Sequence, residues 1–428
     1  MRRTFRIALT SVMVVAILFV NIFSLNVYAA VSQNDDGGEF YYRTMSLAFQ
    51  DINDGSIGSR ALPAKGTSYA NVKISVSENS YDIYMLKSYT ENNVISVQAE
   101  KPVNVYFDYY VLRSNSIAFD IYFGKVSLYA NGRGGIIVNG TSKARCAQLR
   151  SGSLTIKGGC YEARATAGAA ACIQSAGKLV VQNAKLTAVY PNGQARCVTT
   201  SSGSATVSTT MYNCSLTAIA RSGRAICFYN SIGCTAQLRN CVANAYSDYM
   251  HTGSTSYAYC SVGVDNYGIM TLNDCTVYGT HSGVQSSGNL TVNKGKYSGY
   301  GHGGFYITGS GNYARISNAN VSCQPMPSGF TATINCNQTA MYVGGQGATN
   351  TRVYMDRCRL DSASHPIVMR GTDGETDNYL YISNSVLVNS KRIRIDSNHQ
   401  VYIGAGNNFN ESAADYPEKV IKTNYTYK

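Results

Sequence analysis

The chain has no tryptophan, 7 prolines and only 14% charged residues in 428. Helix-forming Glu, Lys and Leu are sparse, which argues against a helical protein. Carboxylates are missing where chemistry would need them. Between 121 and 247 the only acid is Glu162, and from 275 to 355 there is none. That leaves Asp248, Asp265 and Asp274 as the one mid-chain group. Such scarcity provides neither an acid–base pair for glycoside hydrolysis nor a calcium cluster. No CxxC pair and no Cys/His zinc spacing occurs, so no metal and no cofactor is expected. No short Lys/Arg-rich block occurs either. Phosphate neutralisation needs clustered cations, so nucleic acid is not an expected partner.

What is abundant is Gly (40 residues), Tyr (34) and the small polar residues Ser, Thr and Asn. This is β composition with many tight corners. Residues 1–30 read as a signal peptide: "MRRTFR", then the apolar "IALTSVMVVAILFVNIFSL", then "VYAA" as a cleavage site. The apolar stretch is also long enough for an uncleaved anchor helix. No second spanning stretch follows. The expected location is therefore secreted or at the cell surface, off the membrane once the leader is cleaved. Loss of Arg2, Arg3 and Arg6 with the leader lowers the formal charge from +12 to +9.

A six-residue pattern recurs: turn residue, small, any, apolar, any, small. Clear copies are "NAKLTA" (183–188), "NCSLTA" (213–218), "NCVANA" (240–245), "DCTVYG" (274–279), "KGKYSG" (294–299), "NANVSC" (318–323), "RCRLDS" (357–362) and "NSVLVN" (384–389). "GGCYEA" (158–163) and "GNNFNE" (406–411) are weaker end copies. The apolar positions are 20 to 39 residues apart. Short strand patterns precede most copies. Strands this short cannot bury a face alone, but they can if every unit stacks on the next. Variable spacing then means corners that bulge while the strands stay in register.

All 13 cysteines lie between 146 and 358, and eight of them fall in two recurring slots. Cys214, Cys241, Cys275 and Cys358 share the small second position. Cys146, Cys172, Cys197 and Cys227 open the preceding strand. Buried thiols acting as small apolar residues account for this periodicity. Export, and the closeness of equivalent positions on neighbouring units, leaves one or two disulfides open.

The repeat resembles the right-handed parallel β-helix of the pectate-lyase-like superfamily. The resemblance implies an all-β solenoid, and that fold hosts lyases, hydrolases, adhesins and inert stalks. Met45, Ala48, Phe49 and Ile52, followed by Gly55, form one short helical stripe. It is read as a cap within 40–54 over the exposed end of the solenoid. The expected organisation is a leader (1–30), an N-terminal segment with the capping helix (31–60), early irregular coils (61–140), regular repeats (141–412) and a C-terminal tail (413–428). A separate N-terminal β-sandwich is the alternative for the early strands.

"SGYGHGGFYITGSG" (298–311) is similar to the Gly-His-Gly segment of polygalacturonases, with "ARIS" (314–317) loosely like their Arg-Ile-Lys element. Where that family carries paired aspartates one coil upstream, this chain has Thr280 and His281. His302 matches a family residue and the acids do not, so no catalytic residue is assigned. Tyr278, His281, Tyr300 and His302 are the candidate binding residues, near one corner of adjacent coils. A second aromatic group holds Tyr246, Asp248, Tyr249, His251, Tyr257 and Tyr259. Clustered Tyr with polar neighbours can stack on sugar rings. The expected function is non-catalytic binding or adhesion to polysaccharide or cell-surface glycan. A polysaccharide-degrading enzyme of the same fold is the alternative, and a structural stalk the second alternative.

Overall fold

A computed structural model describes residues 38–58, 68–203, 206–248, 261–330, 338–345, 348–370, 376–388, 393–395, 398–408 and 420–422. The expected leader lies outside the described residues, as do Tyr249, His251, Tyr257 and Tyr259.

Strands dominate, in one 25-stranded and one 12-stranded sheet. Apart from the antiparallel contact of Tyr81–Met85 with Val72–Val76, the described strands from Tyr81 onward pair in parallel, each bonding to the equivalent strand of the preceding unit. A typical unit is Ala169–Ser175 in the small sheet, then Lys178–Gln182 and Lys185–Val189 in two walls of the large sheet. The next unit repeats this order with Gln194–Thr200, Ser208–Tyr212 and Ser215–Ala220. The first large-sheet strand of each unit is here called the leading wall, and the second the trailing wall. Ile269–Gly279, Asn289–Gly299 and Tyr313–Cys323 run unbroken through both walls and join them into one sheet.

The hexapeptide sets this geometry. Its turn residues Asn183, Asn213, Asn240, Asp274, Lys294, Asn318, Arg357 and Asn384 all have φ between +48° and +64°. One left-handed residue bends the chain between the walls, and Asn and Asp tolerate that conformation better than other side chains do. Gly158 and Gly159 take the corner of the first copy at φ +73° and +83°, and a Cβ on Gly159 would lie 2.5 Å from that of Ala130. The apolar fourth positions then align. Tyr161, Leu186, Leu216, Ala243, Val277, Tyr297, Val321, Leu360 and Leu387 are consecutive register partners, and all are buried. They belong to one apolar cluster that runs from Tyr42 to Ile403.

The eleven described cysteines are free thiols, most of them buried in the same rows. Burial pushes the Cys146 and Cys172 thiols up. A polar row also crosses the interior. Asn230 Nδ2 donates to Asn266 Oδ1 at 2.9 Å, and Asn266 Nδ2 donates to Ser286 Oγ at 3.0 Å. Stacked amides satisfy one another there and avoid the penalty of an unpaired buried polar group.

The helix, α1, spans Met45–Asp54, with Thr44 as N-cap and Gly55 as left-handed C-cap. Met45, Ala48, Phe49 and Ile52 are its buried stripe, and Phe49 packs edge-on against Phe119 at 5.9 Å. Glu39–Tyr42, within the expected cap, is instead a strand antiparallel to Val72–Val76. Val72–Val76 in turn pairs antiparallel with Tyr81–Met85. The early strands therefore continue the large sheet. At the other end, Val420–Lys422 pairs parallel with Val401–Ile403, so the expected tail contributes a strand. No helix among the described residues is long and apolar enough to cross a membrane.

Leu216→Ala opens a cavity in the buried row and is expected to cost about 2–5 kcal/mol. Thr217→Ala, one residue on and facing away from the core, should cost under about 0.5 kcal/mol. Urea denaturation midpoints of the two variants test this contrast. Equal losses would contradict the assigned register.

Candidate binding groove and buried polar cluster

The four candidate residues go to different places. Tyr278 lies on the outer side of the trailing wall, in register with Asn244 before it and Ser298 and then Ser322 after it. The adjoining outer row is Thr276, Lys296 and Asn320. Because these strands are parallel and in register, equivalent positions recur at about 4.8 Å and form a flat polar floor. Gln324, Pro325 and Pro327 wall it, and the open groove is about 430 Å³. Gln324 is tied down by its N–H, which donates to Gly299 O at 2.8 Å.

An aromatic end closes the groove. Tyr246 lies 5.7 Å from Tyr278 and stacks on Phe330 at 5.3 Å. The Arg221 guanidinium lies over the Phe330 ring at 4.6 Å, and donates to Asp248 Oδ2 at 2.9 Å and to Gly329 O at 2.7 Å. Among the described residues, Lys296 is the one charged side chain in the lining. Amides, hydroxyls and ring faces of this kind suit a hydroxylated ligand, and the volume is that of an ordinary ligand site.

His281 and His302 occupy the same slot of successive units, as the spacing predicts. The His302 N–H donates to His281 O at 2.8 Å, and the rings lie edge to face at 4.6 Å. Both are buried, His281 3% and His302 4% exposed. His302 packs on Tyr306 at 5.2 Å and Tyr342 at 4.6 Å. The physical reason is that Val262–Asn266, Ser282–Ser286, Gly303–Ile307 and Met341–Gly344 are buried on both faces. Tyr300 is half-buried at the turn between the two regions, and its carbonyl accepts from Cys323 Sγ at 3.3 Å.

Two further members of this cluster carry charge. Arg224 Nη2 donates to Asp265 Oδ2 at 2.8 Å, with side chains 7% and 1% exposed. Burial pushes the Asp265 carboxyl up, against the pull of Arg224 and Arg196. Burial lowers His302 to about 4. His281 is depressed by burial, by His302 and by Arg224. Both imidazoles are therefore neutral near pH 7. Thr280, at the other position where polygalacturonases carry an acid, is buried and accepts the Ser247 N–H at 3.0 Å. Among the described residues no group of three or more His, Cys, Asp or Glu could hold a metal ion.

Sequence reasoning missed the Arg224–Asp265 pair and Phe330. The pair is 41 residues apart, and Phe330 lies beyond the last hexapeptide of its unit, so no local pattern marks either. No protein-family model matches the chain, and the comparisons with curated proteins and with solved structures return no match.

The His302 value predicts a pH dependence. Its folded value of about 4 lies below the ordinary 6.5, so the unfolded chain takes up the proton first. The stability that rests on the neutral ring is full above pH 6.5 and is lost as pH falls towards 4. Thermal unfolding followed from pH 7 to 4.5 should show a falling midpoint, with a shallower fall in His302→Gln. An unchanged slope in that variant would contradict the assignment.

Proposed function

We propose that the stack is a right-handed parallel β-helix of the pectate-lyase-like kind, and that it works by binding polysaccharide or cell-surface glycan outside the cell. The three-strand unit and its parallel crossovers support the helical reading, since parallel crossover connections are right-handed in roughly 98% of cases. The observation that carries the binding reading is the groove between Tyr246, Tyr278, Lys296 and Gln324. Tyrosine faces stack on sugar rings, the amides and hydroxyls exchange hydrogen bonds with sugar hydroxyls, and Lys296 favours a neutral or acidic glycan over a basic ligand. The absence of acids from the lining favours binding over cleavage. Export rests on the leader sequence, and the domain limits given above stand with it as part of the proposal.

Titration calorimetry against a panel of neutral and acidic polysaccharides tests this. Saturable binding is expected, weakened about tenfold (~1.4 kcal/mol) by Tyr278→Ala. Gln324→Ala, at the rim, should weaken it without changing the unfolding midpoint. Binding that survives both substitutions would remove the groove from the function.

A further inference from the structure

The chain's positive charge has a place in the fold. Between 121 and 247 stand thirteen Lys or Arg and one acid, Glu162. The whole chain holds 36 cations and 24 acids, so the residues outside this stretch carry equal numbers of each sign. No basic block marks the stretch in the sequence, because stacking gathers the cations across units.

Four of the thirteen are neutralised: Arg150 by Asp120, Arg164 by Glu162, Arg221 by Asp248 and Arg224 by Asp265. Lys125, Arg133, Lys157, Lys178, Lys185 and Arg239 are exposed, form no ion pair among the described residues, and lie on the leading wall or at its corner with the trailing wall. That corner is the left-handed slot of the hexapeptide, and two adjoining grooves run along it. One, of about 670 Å³, passes Lys157, Gly158 and Lys185, and the other, of about 540 Å³, passes Tyr212 and Arg239. Asn183 and Asn213 line both. Gly158 brings no side chain to the floor, which deepens it. Lys157, Gln182, Tyr212 and Arg239 are register partners in four successive units. Acids bound this run in the same slot. Asp108 lies before it and accepts from Asn131 Nδ2 at 2.9 Å, and Asp274 lies after it, paired with Lys294 at 2.8 Å.

We propose that this corner is a second binding groove, for a linear polyanionic glycan. Its carboxylate or sulfate groups pair with Lys157, Lys185 and Arg239, and its hydroxyls meet the Asn183 and Asn213 amides. Units recur at about 4.8 Å, so donors and cations form a line that suits an extended polymer. Tyr212 is the one ring lining the two grooves, but Tyr84, Tyr106 and Tyr129 stack in the same slot ahead of Lys157, so single-stranded DNA, which stacks bases on such rings, is an arm of the test.

The test is binding of the full chain to heparin (sulfated), polygalacturonate (carboxylated), dextran (neutral) and single-stranded DNA, each across a salt series. At least one of the two anionic glycans is expected to bind and dextran to bind more weakly. The variant with Lys157→Glu, Lys185→Glu and Arg239→Glu should lose at least tenfold in affinity and most of the salt dependence. The control with Lys101→Glu, Arg113→Glu and Lys143→Glu makes the same charge change on exposed residues away from the corner, and should stay within twofold of the parent. Which glycan binds tells sulfate from carboxylate recognition. Equal losses in the two triple variants, no binding of either anionic glycan, or tighter binding of DNA than of both would each overturn the proposal. Tyr278→Ala, in the other groove, should leave this affinity unchanged, so either site can fail without the other.

Discussion

Everything in this fold depends on the parallel, in-register hydrogen bonding of each unit to the one before it. A unit of three short strands has no partner of its own for either its backbone or its apolar side chains. Both needs are met only by the neighbouring unit, so strand position matters more than strand length. The corner between the two walls enforces that position. One left-handed residue, from Asn183 through Asn384, turns the chain by the same amount in every unit. Units can then differ in length elsewhere, and the aligned row from Tyr161 to Leu387 stays buried.

The same constraint explains where polar groups are tolerated. A buried polar residue in one unit meets the equivalent residue of the next, so rows become ladders. Asn230 and Asn266 satisfy each other in this way. The His281 and His302 stack follows the same rule, and burial there lowers the proton affinity of both rings. Arg224 and Asp265 add an ion pair taken out of water beside them. Such a pair costs solvation on both sides, and losing one partner is far more damaging than losing both.

Much of this was legible in the sequence, for a physical reason. Turn residue, small residue and buried residue each answer a local backbone or packing need, and the hexapeptide records all three. The helix stripe of Met45, Ala48, Phe49 and Ile52 is equally local. What could not be read was whether an outward side chain is covered. Alternation shows that Gln285 and Tyr306 point away from the apolar row, yet both are buried. The same holds for His281 and His302, which the spacing places near one corner and which are buried there. Phe330 shows the same gap, since its stacking on Tyr246 joins residues from different units. The clustering of cations along 121–247 was hidden because no short window contains it.

A regular stack makes extended surfaces in which side chains recur at unit spacing, and two such surfaces here lack paired acids. The proposed function is that such surfaces hold a polymer. The most direct measurement incubates the protein with a polysaccharide panel and records, in the same samples, the fraction bound and the number of new chain ends. The account predicts saturable binding with no increase in chain ends over time. Chain ends that rise in proportion to protein concentration would contradict it.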